Sequence, residues 1–162
     1  MQIYLIRHGI AAKKGTYADD TKRPLVEKGV VKTKKVAQRL LDKGITFNHL
    51  LSSPFVRAYQ TAEILQEAGL CPYITTHEPL KQGGDIDVWI EWLKNHFNNE
   101  EQIALVGHEP DLTSWAEMLI YGVLKEKLIL KKSGIIGLQL TENINPIGNC
   151  ELFLFTAPKW FI

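Results

Sequence analysis

Short apolar runs alternate with longer amphipathic segments along the first two-thirds of the chain. The apolar runs predict buried strands, and they cover 3–6, 50–51, 73–76 and 103–106. The longer segments carry apolar residues at helical spacing and predict helices over 24–43, 54–68, 85–97 and 110–121. This alternation of strands and helices is typical of an α/β protein with a mostly parallel sheet.

Local signals refine several of these helices. Gly44 marks the end of the first helix, and Ser53 is expected to cap the second, with Pro54 in its first turn. In the third predicted helix the apolar residues form one stripe, which we expect to face the core: Val88, Trp89, Trp92 and Leu93.

The last third of the chain has a different pattern. Residues 134–141 and 150–156 are β-rich and are separated by a turn containing Asn145, Pro146 and Gly148, so they predict an antiparallel hairpin. No linker, repeat or low-complexity segment interrupts the chain. We therefore expect one domain over residues 1–162, a three-layer α/β/α sandwich whose mostly parallel central sheet has an antiparallel C-terminal edge.

Composition narrows the functional classes. The 19 Lys and Arg residues nearly balance the 18 Asp and Glu residues, so no nucleic-acid partner is expected. The apolar start is too short for a signal peptide, and no apolar run approaches the ~20 residues of a membrane span. Cys71 and Cys150 are far apart in the sequence and are expected to remain free thiols. These features predict a cytoplasmic protein with no membrane partner.

Polar residues follow two of the predicted strands directly. Arg7, His8 and Gly9 come after the run 3–6, and Gly107 and His108 come after the run 103–106. Ligands of open α/β sheets bind at the carboxyl ends of the strands. If the two strands are neighbours, both imidazoles open into one crevice. An arginine can hold phosphate oxygens there while a neutral imidazole acts as the nucleophile.

Two further arginines lie at predicted helix starts. Arg57 is in the first turns of the second helix, and Arg23 stands just before Pro24. Helix N-termini attract anions, so these guanidinium groups would add to an existing preference for phosphate. Arg23 could instead act as a cap or pair on the surface.

Taken together, these residues resemble the histidine phosphatase superfamily, also called the phosphoglycerate mutase-like fold. The chain looks most like its small bacterial members, the SixA-type phosphohistidine phosphatases, which lack large helical insertions. The resemblance rests on four blocks in the family's order: Leu5-Ile6-Arg7-His8-Gly9; Arg23-Pro24-Leu25 with Gly29; Ser52-Ser53-Pro54 with Arg57, Ala58, Gln60 and Thr61; and Val106-Gly107-His108-Glu109-Pro110.

The resemblance implies a role for each matching residue. His8 is the expected nucleophile and becomes transiently phosphorylated, while Arg7 and Arg57 bind the phosphoryl oxygens. His108 is expected to donate a further hydrogen bond, and Arg23 to line the same pocket. No metal and no cofactor are implied. Because His8 must be neutral to attack, we expect its second ring nitrogen to donate to a backbone carbonyl.

Two positions depart from the family pattern. Val26 stands where family members often carry threonine. The general acid has two candidates, Glu78 and Asp85, and Glu78 matches the family's usual acidic position better. A phosphohistidine substrate relaxes the need for an acid, because imidazole is a less basic leaving group than an alkoxide.

Three functional hypotheses follow. The preferred one is a phosphohistidine phosphatase acting on proteins such as histidine phosphotransfer domains. The second is a small-molecule phosphomonoesterase or a sugar-phosphate mutase, and the third is a non-enzymatic phosphate-binding module.

Residues outside these blocks are expected to have structural or exposed positions. Asp19 and Asp20 lie in the loop after the first strand, where they could touch the substrate, although solvent exposure is the expectation. The end of the chain is expected to pack on the core or to contact another chain. Structural or exposed positions are expected for three histidines: His49, His77 and His96.

Overall fold

The computed structural model describes residues 1–142 and 145–162. Its six strands form one sheet in the order β3-β2-β4-β1-β5-β6. The strands are β1 (Gln2–Arg7), β2 (His49–Ser52), β3 (Ile74–Thr76), β4 (Gln102–Gly107), β5 (Ile135–Gln139) and β6 (Glu151–Thr156). The helices are α1 (Glu27–Asp42), α2 (Val56–Glu67), α3 (Ile86–His96), α4 (Asp111–Tyr121) and α5 (Pro158–Phe161), with short 3-10 helices at Asp20–Lys22 and Glu78–Leu80.

The sheet is mixed in the way that the sequence predicts. β1, β4, β2 and β3 pair in parallel, β5 pairs antiparallel with β1, and β6 pairs antiparallel with β5. The predicted α/β class and its antiparallel C-terminal edge are therefore confirmed. Residues 143–144, which belong to the turn expected before β6, lie outside the described residues.

Helices cover both faces of the sheet because the strands are apolar on both sides. Ile3 and Leu5 of β1 join one core cluster with α3 and α4. Tyr4 and Ile6, which point to the opposite face, join a second cluster with α1, α2 and the end of α5. These two clusters give the three layers of the predicted sandwich.

Two predicted helix starts are wrong by a few residues. α1 begins at Glu27 rather than at Pro24, because Leu25 pairs instead with Ala11 in an isolated β-bridge. α2 begins at Val56, and its N-cap residue is Phe55. The expected cap, Ser53, lies outside the helix, where its hydroxyl oxygen accepts a hydrogen bond from the backbone N–H of Phe55 at 3.3 Å.

The predicted apolar stripe of α3 is partly wrong. Trp89 and Leu93 are buried as expected, but Val88 is 52% exposed and Ile90 is buried in its place. The helical period explains the difference, since positions 86, 89, 90 and 93 lie on one face and position 88 does not. Trp92 packs at the edge of the same cluster.

The chain terminus divides between core and surface. Phe161 packs against the cluster beneath α1 and α2, and its carbonyl accepts a hydrogen bond from Arg39 Nε at 3.2 Å. Trp160, by contrast, is 80% exposed. Cys71 and Cys150 are buried free thiols, as expected. None of the helices in the described ranges has the length and hydropathy needed to cross a membrane.

The N-terminus of α1 generates a stability prediction. Val26 occupies the N-cap position with extended backbone angles, and its side chain makes no cap hydrogen bond. Val26→Thr supplies the missing acceptor and should raise the free energy of unfolding by about 0.5–1 kcal/mol in urea denaturation. Val31→Thr is the matched control, because Val31 is exposed within the same helix and should change stability little. Equal effects at both positions would contradict the capping explanation.

Candidate active site

The pairing of β1 with β4 brings the two histidines of the sequence motifs together. Arg7 lies opposite Gly107 in the parallel register, and the backbone N–H of His8 donates to the carbonyl of Gly107 at 3.1 Å. The imidazole rings of His8 and His108 then lie 5.2 Å apart between centroids. Both rings are buried at the carboxyl edge of the sheet.

His8 has the protonation and orientation of a nucleophile. Its Nδ1 lies 2.7 Å from the carbonyl oxygen of Gly9. A carbonyl can only accept, so Nδ1 carries the proton and Nε2 keeps its lone pair. Burial lowers the pKa of His8 to about 2, and the charges of His108, Arg57 and Arg7 act in the same direction. The ring is therefore neutral at physiological pH.

The loop after β1 is held by close contacts with α1 and α2. Thr61 Oγ1 accepts a hydrogen bond from the N–H of Gly9 at 2.9 Å and donates to the carbonyl of Arg57 at 2.7 Å. Gly29 of α1 approaches this loop so closely that an added Cβ would lie 2.1 Å from the carbonyl oxygen of Ile10. These contacts explain why the sequence carries glycine at 29 and threonine at 61.

Arg57 is buried completely, although it carries a charge and lies in the first turn of α2. Its Nη1 donates to the carbonyl of Asp20 at 2.8 Å, and its Nη2 lies 3.2 Å from Asp20 Oδ2 without the alignment of a hydrogen bond. Its guanidinium carbon also lies 5.2 Å from the centroid of the Phe55 ring. These contacts fix the guanidinium group at the edge of the crevice.

Arg23 belongs to the same cluster and is buried, so the alternative of a surface position is wrong. Its Nε donates to Asp20 Oδ1 at 2.9 Å, and its Nη1 donates to the carbonyl of Ala12 at 2.8 Å. Asp20 is half-buried: its side chain is 36% exposed, and its carboxylate lies between Arg23 and Arg57. The hydrogen bond from Arg23 lowers the pKa of Asp20, which keeps that carboxylate ionised.

Arg7 and His108 complete the set. Arg7 Nη1 donates to the carbonyl of Leu130 at 2.7 Å, and His108 Nε2 lies 2.8 Å from Ser53 Oγ. Burial, followed by the charge of Arg57, lowers the pKa of His108 to about 3. Within the described residues, four buried nitrogens of this set have no protein hydrogen-bond partner: Arg7 Nε, Arg57 Nε, Arg57 Nη2 and His108 Nδ1.

The two candidate acids lie on the surface. Glu78 is exposed in its 3-10 helix, where its carboxylate pairs with Lys81 at 3.1 Å. Asp85 is the N-cap of α3 and accepts a hydrogen bond from the N–H of Asp87. In the described part of the chain no hydrogen bond or ion pair joins either carboxylate to His8. The role of Glu78 as a general acid therefore stays a prediction.

Two residues near the site, Ser133 and Lys132, belong to none of the sequence motifs, whereas Glu109 belongs to the block around His108. The N–H of Ser133 lies 3.1 Å from the carbonyl of Arg7 and 3.3 Å from that of His8, and it supports the strand end from the loop before β5. Burial and the nearby arginines lower the pKa of Lys132. Glu109 follows His108 and is half-buried; burial raises the pKa of its carboxyl group.

The arrangement suits a tetrahedral oxyanion bound beside a neutral nucleophile. Charged N–H donors can saturate the oxygens of a phosphoryl group, and arginine does so with fixed planar geometry. Between residues 1–142 and 145–162 no group of three or more His, Cys, Asp or Glu side chains forms a metal-binding cluster.

Comparisons with known proteins agree with this geometry. The sequence profile of the histidine phosphatase superfamily (branch 1) matches residues 3–81. An uncharacterised protein of Picosynechococcus sp. strain PCC 7002 is 44% identical over 164 residues, which cover 100% of this chain and 99% of that protein.

Solved structures extend the similarity over the whole fold. The protein histidine phosphatase SixA complexed with tungstate has a TM-score of 0.85 and 25% identity, with 98% of each chain covered. A putative α-ribazole-5′-P phosphatase from Escherichia coli K-12 has a TM-score of 0.77 and 17% identity, also with 98% of each chain covered, and shows the same fold. The chain therefore belongs to the histidine phosphatase superfamily (branch 1), with the phosphoglycerate mutase-like fold, and is a phosphatase close to SixA.

Proposed function

We propose that this protein removes phosphate from phosphohistidine in proteins, such as histidine phosphotransfer domains, through a covalent phospho-His8 intermediate. One observation carries the proposal: a neutral imidazole stands beside buried N–H donors that have no protein partner in the described residues. Leaving such donors unpaired costs about 1–3 kcal/mol each, and more for charged groups. A bound phosphoryl group would satisfy them.

In the first step His8 Nε2 attacks the phosphorus of the substrate. A bond forms between His8 Nε2 and phosphorus as the substrate's P–N bond breaks. The leaving imidazole keeps the electron pair, and a proton taken up on its other nitrogen makes it leave as a neutral ring. Arg7 and Arg57 offset the negative charge on the equatorial oxygens, and Arg23 lies at the rim. Ser53 Oγ accepts from the N–H of Phe55 and can donate its own proton to His108 Nε2, which leaves the proton of the neutral His108 ring on Nδ1 as a further donor.

In the second step a water oxygen bonds to phosphorus as the bond between phosphorus and His8 Nε2 breaks. Nε2 keeps the electron pair, so the ring is neutral again with its proton on Nδ1, and the water's protons leave with inorganic phosphate or pass to solvent. The hydrogen bond from Nδ1 to the Gly9 carbonyl holds the ring in one orientation through both steps. Because the imidazole is already neutral and Nε2 is free, no other group has to remove a proton before attack.

The surroundings of His8 favour a phosphoramidate over a phosphate ester. An alkoxide leaving group needs a proton from a placed acid, whereas a protonated phosphoimidazole does not. The two acids expected from the sequence, Glu78 and Asp85, are exposed and have partners elsewhere. The similarity to SixA over the whole chain supports the same substrate class.

A small-molecule phosphomonoesterase is the second candidate, and Glu109 is the observation in its favour. This half-buried carboxyl group follows His108 and has a raised pKa, so it holds a proton more readily than an exposed glutamate. Its oxygens, however, accept hydrogen bonds from the N–H and hydroxyl of Thr113 at 3.2 and 3.0 Å, which point it toward the start of α4.

A paired turnover assay tests the proposed function. Phosphate release is measured from a histidine phosphotransfer domain phosphorylated on its histidine and from a panel of small phosphomonoesters. We expect a strong preference for the phosphoprotein and a loss of at least about 10³-fold in kcat for His8→Ala, because no other group can form the covalent intermediate.

Circular dichroism and the unfolding midpoint should show that His8→Ala is folded. Appreciable residual turnover in this variant would exclude the covalent route. A preference of the wild type for an ester would instead support the monoesterase, and Glu109→Gln would then be the variant to assay.

The neutral state of His8 predicts a loss of stability in acid. At pH 5.5 the unfolded chain binds a proton at a histidine of ordinary pKa 6.5, whereas folded His8, with a pKa of about 2, does not. Stability that is complete above pH 6.5 is therefore lost as the pH falls below that value, by about 1.4 kcal/mol per such histidine between pH 7.5 and 5.5.

Urea unfolding of the wild type and of His8→Ala at the two pH values measures this effect. The loss in the variant should be smaller by about 1.4 kcal/mol, the share of one histidine. Other titrating groups are common to both proteins and largely cancel in the difference. Equal losses would show that folded His8 binds a proton in this range.

A further inference from the structure

A groove of about 550 Å³ opens beside the active site, between the loop after β1 and the end of the chain. Its large apolar side chains are Ile10, Ile129 and Trp160, beside the smaller Ala157 and Pro158. Ile129 is 70% exposed and Trp160 is 80% exposed, which is unusual for side chains of this size. A smaller depression over β6, lined in part by Phe155, shares Ile129 and Trp160 and extends the same surface.

Four lysines line this groove, and its described lining holds no carboxylate: Lys32, Lys131, Lys132 and Lys159. The chain as a whole has nearly equal numbers of basic and acidic residues, so this cluster is a local excess of positive charge. The ammonium group of Lys159 lies 4.8 Å from the ring centroid of Trp160, so charge and apolar surface are adjacent.

Three residues of the groove lining are close in the chain to residues of the phosphoryl site, and the charges of Arg7, Arg23 and Arg57 act on one of them, Lys132. Ile10 is two residues after the nucleophile, and Ile129 precedes Leu130, whose carbonyl accepts the hydrogen bond from Arg7. Lys132 precedes Ser133, whose N–H contacts the carbonyls of the strand end. A molecule that presents its phosphoryl group to His8 therefore has the groove directly alongside.

We propose that this groove docks an acidic, partly apolar face of the phosphoprotein substrate while its phosphoimidazole reaches His8. The inference rests on the proposed function. Charge complementarity favours a phosphoprotein as the molecule that binds there. The lysines can pair with carboxylates on its surface, and Trp160 and Ile129 can pack against apolar side chains that lie between those carboxylates. The extent of the surface, beyond the phosphoryl site and onto β6, suits a folded partner better than a small phosphate ester.

Charge reversal in the groove tests the proposal. The variant Lys32→Glu with Lys159→Glu changes two lysines that the catalytic steps do not use. Its charge-matched control, Lys34→Glu with Lys94→Glu, alters two exposed lysines that lie outside the groove. Trp160→Ala tests the apolar part separately.

Two probes separate docking from chemistry. One is a histidine phosphotransfer domain, used unphosphorylated for binding measurements and phosphorylated for turnover; the other is phosphoramidate. In the groove variant we expect the Kd of the unphosphorylated domain, and KM for its phosphorylated form, to rise about tenfold. Turnover of phosphoramidate should stay within about twofold of the wild type, and the control variant should match the wild type on both probes.

Each outcome decides between the two proposals. If the wild type binds the domain through the groove but releases no phosphate from it, the proposed function fails and the docking surface stands. If the phosphorylated domain is hydrolysed and the groove variant retains its affinity, the docking surface is wrong and the function stands. Absence of domain binding, or equal losses on the domain and on phosphoramidate, would also overturn the docking surface.

Discussion

Parallel pairing between β1 and β4 aligns Arg7 with Gly107 and brings His8 and His108 to the same edge of the sheet. The backbone hydrogen bond from His8 to Gly107 extends this pairing one residue past the strand. Because side chains alternate across a strand, a slip of one residue would turn the whole set to the other face. The register is held by core residues on both faces of β1, so the packing of the sandwich and the geometry of the site depend on the same pairing.

Positive charge is concentrated where water is largely excluded. Arg57 is buried completely, and burial lowers the pKa of both Arg7 and Arg57. Asp20 offsets part of this charge through its contacts with Arg23 and Arg57. The remaining donors have no hydrogen-bond partner in the described part of the chain, which destabilises the folded protein, and a bound oxyanion would supply those partners. Burial, reinforced by these charges, keeps both histidines neutral, which is the state that a nucleophilic imidazole requires.

Much of the fold and the centre of the site could be predicted from the sequence. The apolar runs before His8 and His108 located both strands, and the residue types placed an anion site at their ends. The errors arose where the same local sequence pattern is compatible with more than one conformation. Ser53 follows a strand and precedes a helix, as a cap does, yet the loop directs its hydroxyl to His108. Asp20 lies in a polar loop that reads as solvent-exposed, and its position between two arginines depends on how that loop folds back onto α2.

Hydrophobic periodicity and the short motifs around His8, Arg57 and His108 determined the class of the fold and the chemistry of its centre, because both depend on residue types at close spacing. Tertiary structure alone decided which groups meet across long separations in the chain. Ser133 supports the backbone at Arg7, and Trp160 reaches the groove beside Ile10, although each is more than a hundred residues from its neighbour. Contacts of this kind follow from the packing of helices, strands and loops against one another, so the local sequence around each residue does not predict them.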